Sequence, residues 1–306
     1  MPRSLLLLSC MVALLAITSP LSPALADPEI DHDRWHTAPT DLSFEGTAFI
    51  GSFDSEDDDN GDGTPDHRGE AEWVAYQIDA LAEELGTAPS RPGWTWEESW
   101  AEQGISPRDS SYKGNITPLG LERGHLCMSQ IGYRRGDDAA LETFTLSNAC
   151  PQDSGLNGGV WEGLERLTEV WSDEYGTVWV VCGPLFYKKK VRLLGNSNQI
   201  KVRIPDGFYK IVIRDDGNGD GLPEVMAFSF DQVAVHYKRS YMRPKSEYQA
   251  HFTSVDRIEA VTGLDFLTTL DEGDQELVES EKTSALWPLP DAADMSVPIG
   301  FAKEPK

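Results

Sequence analysis

The feature that most constrains the fold is a series of short apolar runs, each bounded by turn-forming residues. The runs are rich in β-branched and aromatic side chains and lie at residues 178–186, 199–204, 208–213 and 225–230. Such runs are typical of β-strands. No break between residues 71 and 270 is sharp enough to separate two domains. The sequence therefore predicts one α+β domain with mixed or antiparallel sheets and flanking helices.

Several further segments extend this prediction. Residues 73–78 (WVAYQI) alternate like a strand, in a pattern that could continue as a helix to Leu85. Residues 87–118 lack a periodic pattern and predict a loop, whereas residues 143–147 alternate and predict a half-buried strand. Residues 258–262 predict a short helix. After Asn157, a longer helix that ends near residues 173–176 is predicted by the spacing of Val160, Trp161, Leu164, Leu167 and Trp171.

The two ends of the chain differ from this central part. Residues 1–26 have the basic start, apolar core and small-residue end of a secretory signal peptide, so we expect the mature chain to be secreted or periplasmic. An uncleaved membrane anchor is the alternative, although the apolar run is short and interrupted by prolines. Residues 27–70 predict an acidic N-terminal arm and residues 273–306 an acidic tail. The expected mature chain has no second long apolar stretch, so we predict no membrane span in it.

Charge restricts the partners of this chain. The formal net charge is −25, from 51 acidic and 26 basic residues, which would repel a polyanion from most of the surface. Two basic clusters are exceptions, and they would supply local positive potential if they line a cleft; the alternative is that they belong to solvated hairpins. The clusters are Lys188, Lys189, Lys190, Arg192, Lys201 and Arg203, and then Lys238, Arg239, Arg243 and Lys245.

The mature chain would keep three cysteines, Cys127, Cys150 and Cys182. An exported protein is expected to pair an even number of cysteines, which predicts one disulfide and one buried thiol. Cys127 with Cys150 is the pairing we expect. A zinc site of the three thiols with His125 is a weaker alternative, because the paired CxxC spacing of such sites is absent.

Two acidic segments share the pattern DxNGDGxP followed by an acid. Their side-chain oxygens are spaced as in a calcium loop, with glycine at the sharp turn, but neither segment has the glutamate that ends an EF-hand loop. The alternative is a pair of acidic hairpin turns. The candidate ligands are Asp58, Asn60, Asp62 and Asp66 in the first segment, and Asp216, Asn218, Asp220 and Glu224 in the second.

A group of polar residues between positions 122 and 165 combines the parts that phosphodiester hydrolysis needs. His125 is a candidate general base, because an imidazole titrates near working pH. The amide oxygen of Asn157 suits a hard ion such as Mg²⁺, and Glu165 follows on the same predicted helix. Arg123 offers a planar cation for a phosphate oxygen. Taken singly, such a histidine is more often structural and such an asparagine is usually a helix N-cap.

These residues stand in a longer pattern: RGH at 123–125, SNxxPQ at 147–152, LN at 156–157 and WxxLE at 161–165. The pattern resembles the DNA/RNA non-specific endonucleases of the ββα-metal superfamily, which include the Serratia-type nuclease and endonuclease G. The resemblance covers about residues 71–272. It implies a ββα-metal finger within an antiparallel or mixed sheet, and an enzyme that cleaves both DNA and RNA with Mg²⁺, for which Mn²⁺ can substitute.

By this resemblance, His125 is the general base, Asn157 the direct metal ligand and Glu165 the acid that holds water of the ion. Arg123 and Asn148 match residues that support the site, and Arg91 is the candidate for an upstream arginine near the substrate. Two positions depart from the family pattern. Glu122 replaces an aspartate, which lengthens the carboxylate beside the substrate site by one methylene, and Glu169 replaces an arginine.

Two hypotheses follow. The first is an exported, Mg²⁺-dependent endonuclease, for which a homodimer is one possible oligomeric state. The second is a calcium-stabilised binding or surface protein built on an inactivated nuclease fold, which the acidic segments and Glu169 favour. The retained residues His125, Asn157 and Glu165 favour the first.

Overall fold

A computed structural model describes residues 30–35, 37, 42–53, 69–81, 85–215, 217–232 and 244–289. The expected signal peptide, the first acidic segment at 58–66, Asp216 and most of the second basic cluster lie outside these residues. Residues 31–306 contain the elements described below.

Three of the four apolar runs lie in one antiparallel sheet, together with the strand predicted at residues 73–78. Its strands are β1 (Leu42–Glu45), β2 (Ile50–Phe53), β3 (Ala71–Asp79), β6 (Thr177–Leu185), β9 (Gly207–Asp215), β10 (Pro223–Asp231) and β11 (Phe252–Thr253). Among the described residues these seven strands are hydrogen-bonded in the order β1-β2-β3-β6-β9-β10-β11. Every neighbouring pair is antiparallel, which confirms the predicted α+β class.

A smaller hairpin and the helices after it pack near this sheet. The hairpin consists of β4 (Leu121–His125) and β5 (Ala149–Asp153), with His125 opposite Ala149. Between the two strands lie α3 (Ser129–Tyr133), α4 (Asp137–Glu142) and a 3₁₀ turn (Leu146–Asn148). After β5 the chain forms α5 (Ser154–Leu156), a π-helical segment (Asn157–Trp161) and α6 (Glu162–Tyr175). The order of hairpin and helix is that of the predicted ββα finger.

Both faces of the sheet are covered, because successive side chains of a strand point to opposite faces. On one face, Val74, Val180 and Val212 pack with Leu164 and Trp171 of α6. The opposite face is covered by residues 255–267, which begin with α8 (Val255–Thr262). The sheet is therefore a central layer, and α6 lies directly over it.

The remaining elements correct several expectations. Residues 87–118 are not all loop, since they contain α1 (Glu98–Glu102), α2 (Asp109–Tyr112) and a 3₁₀ turn (Thr117–Leu119). The region of the expected N-terminal arm holds β1 and β2 of the main sheet. In the expected tail, α9 (Glu272–Ser280) forms and Trp287 packs on Trp171. The run 199–204 is a strand only at β8 (Val202–Arg203), which pairs with β7 (Leu193–Leu194). A further helix, α7 (Lys245–Gln249), precedes β11.

Two predictions near the finger are wrong. Residues 143–147 are not a strand: Thr145 makes an isolated bridge to Thr95, and its side chain accepts a hydrogen bond from the Ser147 amide to cap the 3₁₀ turn. Nor does one regular helix begin at Asn157. Helical structure starts at Ser154, capped by Asp153, and is distorted at Gly158 and Gly159. The predicted helix end is confirmed at Tyr175, where Gly176 adopts a φ of +98°.

The predicted disulfide is also wrong. Cys127, Cys150 and Cys182 are all free and buried. Cys150 lies opposite Gly124 in the β4–β5 hairpin, and the Cys182 thiol donates to the Leu126 carbonyl oxygen at 3.3 Å. In the part of the chain that the structure describes, these thiols and His125 do not form a group of ligand atoms close enough to hold zinc.

Among the described residues, none of the helices combines the length and the apolar character that crossing a bilayer requires.

Candidate active site

A cavity of about 420 Å³ opens between the end of β4, the π-helical segment and the loop that precedes α1. It brings together four predicted residues that are far apart in sequence, Arg91, His125, Asn157 and Glu165. Its other walls are formed by Ala88, Pro89, Ser90, Met128, Ser129, Gln130, Tyr133, Ala140, Leu141, Phe144, Gly158, Glu162 and Arg166.

His125 is the last residue of β4, and its ring is held between aromatic side chains. The ring centroid lies 4.8 Å from that of Trp94 and 4.9 Å from that of Phe144. The Trp161 indole donates to the His125 carbonyl oxygen at 3.3 Å, which fixes the backbone. Nε2 is buried and has no hydrogen-bond partner among the described residues. This nitrogen therefore has an unused lone pair or proton.

The charge state of His125 follows from this surrounding. Burial and the nearby Arg91 guanidinium lower the pKa of His125 from 6.5 to about 3. Both effects disfavour the imidazolium, because desolvation and a like charge each penalise the charged form. His125 is therefore neutral at physiological pH, as a general base must be.

Asn157 is oriented by Glu122. The Asn157 Nδ2 donates to Oε2 of Glu122 at 3.0 Å. Glu122 was expected near the substrate, but it does not line the cavity and instead holds this amide. Since the nitrogen of the amide is turned toward the carboxylate, the amide oxygen is the atom left for a cation.

Glu165 lies on the first turns of α6, with only 4% of its surface exposed. Its Oε1 is 3.7 Å from Nζ of Lys210, which comes from β9 in the sheet below. Burial raises the pKa of Glu165 to about 7, while the Lys210 ammonium opposes this rise. The carboxyl group is thus poised to change its charge near neutral pH.

Two guanidinium groups stand among the described residues that line the cavity. Arg91 is exposed and packs over the Phe144 ring at 5.2 Å. Arg166 donates to Glu162 Oε1 at 2.7 Å, one turn earlier on α6. These two side chains are the cations that an anionic ligand in the cavity would meet. Arg166 was not predicted from the sequence.

Arg123 and Asn148 lie behind the cavity rather than in its wall. Arg123 is paired with Asp109 Oδ1 at 2.5 Å and packs over the Tyr112 ring. The expected phosphate contact of Arg123 is therefore replaced by an internal ion pair. Asn148 is fully buried, and its side chain bonds to the backbone of Cys127, at 2.8 and 2.7 Å, and of Thr143. Both residues support the strand that carries His125.

Glu169, the second departure from the family pattern, also points away from the cavity. Its Oε1 lies 4.0 Å from Arg134, whose side chain is 6% exposed and also pairs with Asp173. Arg135 pairs with Asp79 at 3.0 Å. Arg134 and Arg135 are held in these structural ion pairs and do not line the cavity.

The described residues of the basic clusters do not line the cavity either. The first one surrounds the β7–β8 hairpin, in agreement with the alternative interpretation. Within it, Lys188 lies 3.7 Å from Asp206, Lys201 donates to the Gly195 carbonyl oxygen, and Arg203 is buried over Phe186. Of the second cluster, Lys245 is the member that the structure describes, at the start of α7.

The second acidic segment is a hairpin turn between β9 and β10. The Asn218 Oδ1 accepts from the Asp220 amide, and Asp220 Oδ1 accepts from the Leu222 amide, both at 2.8 Å. Glu224 accepts from Nε of Arg214 at 2.9 Å. The described oxygens named here thus accept hydrogen bonds within the turn, at Asn218 and Asp220, or from the neighbouring strand, at Glu224.

Sequence reasoning missed several residues of the site. Lys210 lies in a run that predicts only a strand, and Trp94 and Phe144 touch His125 from segments distant in sequence. Phe144 lies three residues before the SNxxPQ segment that begins at Ser147, and an apolar residue at that position gave no chemical signal. Arg166 directly follows Glu165, so its proximity to the site could have been found from the sequence.

The arrangement can perform acid–base and metal-assisted chemistry. A neutral imidazole faces a cavity that also contains an amide oxygen and a carboxylate, which are ligands that Mg²⁺ prefers. Two guanidinium groups at the same cavity can hold phosphate oxygens. The donor set therefore fits a hydrated Mg²⁺ ion next to a phosphate group.

Known proteins share both the sequence pattern and the fold. A family described as DNA/RNA non-specific endonuclease matches residues 64–273. A nuclease of Nostoc sp. is 29% identical over 218 residues, which cover 70% of this chain and 73% of that protein. Mitochondrial endonuclease G of Bos taurus is 27% identical over 53% of this chain, and the match spans 52% of its own length. The crystal structure of EndoG in its complex with EndoGI superposes with a TM-score of 0.62 at 19% identity, covering 79% of this chain and 92% of that one.

Proposed function

Because this chain belongs to the DNA/RNA non-specific endonuclease family, and is thus a nucleic-acid-hydrolysing enzyme, we propose that it is an exported, Mg²⁺-dependent endonuclease that cleaves DNA and RNA. The observation that carries the proposal is the cavity shared by His125, Asn157 and Glu165. The catalytic hypothesis needs these three residues at one place, whereas the hypothesis of a calcium-stabilised binding protein does not.

His125 acts as the general base. A ring nitrogen of the neutral imidazole accepts a proton from a water molecule as the water oxygen forms a bond to phosphorus, and the bond from phosphorus to the 3′ oxygen breaks on the opposite side. The departing 3′ oxygen takes a proton from solvent, which leaves a 5′-phosphate and a 3′-hydroxyl. The bound phosphate is anionic, so it raises the pKa of His125 from its low resting value and makes the ring a stronger base.

Asn157 and Glu165 hold the metal ion. The Asn157 amide oxygen is the direct ligand, and the Glu165 carboxylate holds water of the ion's hydration shell, as suits an ion that keeps most of its waters. When bound, Mg²⁺ supplies charge stabilisation for the transition state and the leaving oxygen. Glu122 keeps the amide of Asn157 in the orientation that this role requires.

Arg91 and Arg166 receive the phosphate. The chain carries a net charge of −25, so local cations are needed where a polyanion enters. Both arginines line the cavity, whereas the acid at Glu169 is turned toward Arg134. Arg166 thus offers the phosphate contact that the replacement of an arginine by Glu169 would otherwise remove.

Export is supported by the pattern of residues 1–26. Sequencing the N-terminus of the protein recovered from the culture medium or periplasm tests it, with a start near Asp27 as the expected result. Recovery of the full-length chain only from the cell interior would contradict export.

The function is tested by incubating residues 27–306 with supercoiled plasmid, linear duplex DNA and RNA, in Mg²⁺, Mn²⁺, Ca²⁺ or a chelator. We expect cleavage of all three substrates in Mg²⁺ or Mn²⁺ and none with the chelator. Absence of cleavage in every metal, together with a Ca²⁺-dependent rise in melting temperature, would instead support the calcium-stabilised binding protein.

A further inference from the structure

Lys210 occupies an unusual place for a lysine. It is the fourth of the nine residues of β9, where alternation puts it on the same face of the sheet as Phe208 and Val212, beneath α6. Its side chain is 0% exposed. Nζ has no hydrogen-bond partner among the described residues. Burial of an ammonium group is costly unless a counter-charge is close, so the contacts of Lys210 identify its role.

Those contacts belong to the helical segment that lines the cavity. Nζ lies 3.7 Å from Oε1 of Glu165 and 4.0 Å from the centroid of the Trp161 ring. Oε1 is itself buried, with no hydrogen-bond partner among the described residues. Trp161 also donates to the His125 carbonyl oxygen. One buried ammonium therefore touches the acid of the site and the indole that holds the base.

We propose that Lys210 is a positioning residue of the active site, which holds Oε1 of Glu165 from the side of the sheet so that the carboxylate presents its other oxygen to the cavity. Glu165 both contacts Lys210 and lines the cavity, so the two sides of its carboxyl group meet different partners. Lys210 does not line the cavity, which excludes a direct contact with substrate in this arrangement. The inference rests on the proposed function, because it assigns Lys210 to the orientation of the metal-holding acid.

The test replaces Lys210 by methionine, which keeps the length of the side chain and removes its charge. We expect Lys210→Met to weaken Mg²⁺ binding, measured by calorimetry, and plasmid cleavage at saturating DNA by about 10–100-fold each, as is typical when a group that orients a metal ligand is lost. Lys201→Met is the matched control, since Lys201 donates to the Gly195 carbonyl oxygen outside the cavity. Mg²⁺ affinity and cleavage by the control should stay within about twofold of wild type.

A double-mutant cycle separates positioning from packing. If Lys210 acts through Glu165, then Lys210→Met should cause no further loss in a Glu165→Gln background. The proposal would be overturned if Lys210→Met lowered Mg²⁺ affinity and cleavage in that background as much as it does in wild type. It would also be overturned if Lys210→Met alone kept wild-type Mg²⁺ affinity and cleavage. If Lys210→Met fails to fold, the pair with Glu165→Gln should restore folding, because it removes both buried charges; failure of both variants to fold would show a packing role and contradict the proposal.

The calorimetric measurement keeps this inference distinct from the proposed function. A wild-type protein that binds Mg²⁺ but cleaves no nucleic acid would refute the endonuclease assignment. The dependence of Mg²⁺ affinity on Lys210 and Glu165 would still decide the role of Lys210.

Discussion

The side-chain nitrogen of Asn157 donates to Oε2 of Glu122 across 3.0 Å, and this contact orients the amide at the cavity. A carboxylate only accepts hydrogen bonds, so the NH₂ group must face Glu122 and the carbonyl oxygen must face elsewhere. The glutamate that replaces the aspartate of the family pattern is one methylene longer, yet its carboxylate reaches the amide. The longer side chain of Glu122 is therefore compatible with a hydrogen bond to the predicted metal ligand.

Glu122→Ala is expected to weaken Mg²⁺ binding by about 10–100-fold, because the Asn157 amide loses the group that orients it. Calorimetric titration with Mg²⁺ measures the effect. Glu122→Gln is the control, since its amide oxygen can still accept from Asn157, and it should lose less affinity. Equal affinity in wild type and Glu122→Ala would show that this hydrogen bond does not matter for the ion.

The binding of Mg²⁺ should depend on pH through Glu165. Burial raises the pKa of this carboxyl group to about 7. Below pH 7 the group must therefore lose a proton before it can interact as a carboxylate with the hydrated cation. We expect Mg²⁺ affinity to fall as pH is lowered from 8 to 6, approaching about tenfold per pH unit below 7. Glu165→Gln should bind more weakly and lose this dependence. An affinity that is constant from pH 8 to 6 in wild type would contradict the assignment.

Asn148 is expected to contribute to stability rather than to chemistry. Asn148→Ala removes three hydrogen bonds from a fully buried side chain to the backbone of Cys127 and Thr143, and should lower the free energy of unfolding by about 2–4 kcal/mol. Urea denaturation measures this loss. Asn198→Ala changes an exposed asparagine and should cost less than about 0.5 kcal/mol. A loss at Asn148 no larger than at Asn198 would refute the structural role.

The cysteines should all be reduced in the folded protein. They are buried, and burial raises the pKa of the Cys182 thiol to about 12, so little reactive thiolate forms. For residues 27–306, we expect a thiol reagent to modify three cysteines per chain after denaturation without reductant, and almost none before it. Detection of a single thiol after denaturation would reveal a disulfide.

Much of the fold follows from local patterns. The apolar runs that became β3, β6, β9 and β10 are long and bounded by turn formers, so their alternation leaves few alternatives. The segment 143–147 is too short for that argument. There the Thr145 side chain caps a 3₁₀ turn, and this local hydrogen bond outweighs the strand propensity of alternating residues.

The sequence predicted the chemical groups of the site but not the residues that hold them in place. The spacing of His125, Asn157 and Glu165 identified residues that the fold gathers at one cavity. It could not show that Asp109 pairs with Arg123 or that Lys210 lies under Glu165, because these contacts join distant segments. The distortion at Gly158 and Gly159 was not predicted either, and π-helical segments of this kind are frequent at functional sites.

The most direct test of the account is metal-dependent nicking of supercoiled plasmid by wild type and by His125→Ala, side by side at saturating Mg²⁺. Circular dichroism and thermal melting confirm that the variant is folded. We expect wild type to nick the plasmid and the folded His125→Ala protein to lose at least about 100-fold of that rate, since a general base contributes about 10²–10⁴-fold. Nicking by folded His125→Ala at the wild-type rate would contradict the assignment of His125 as the base.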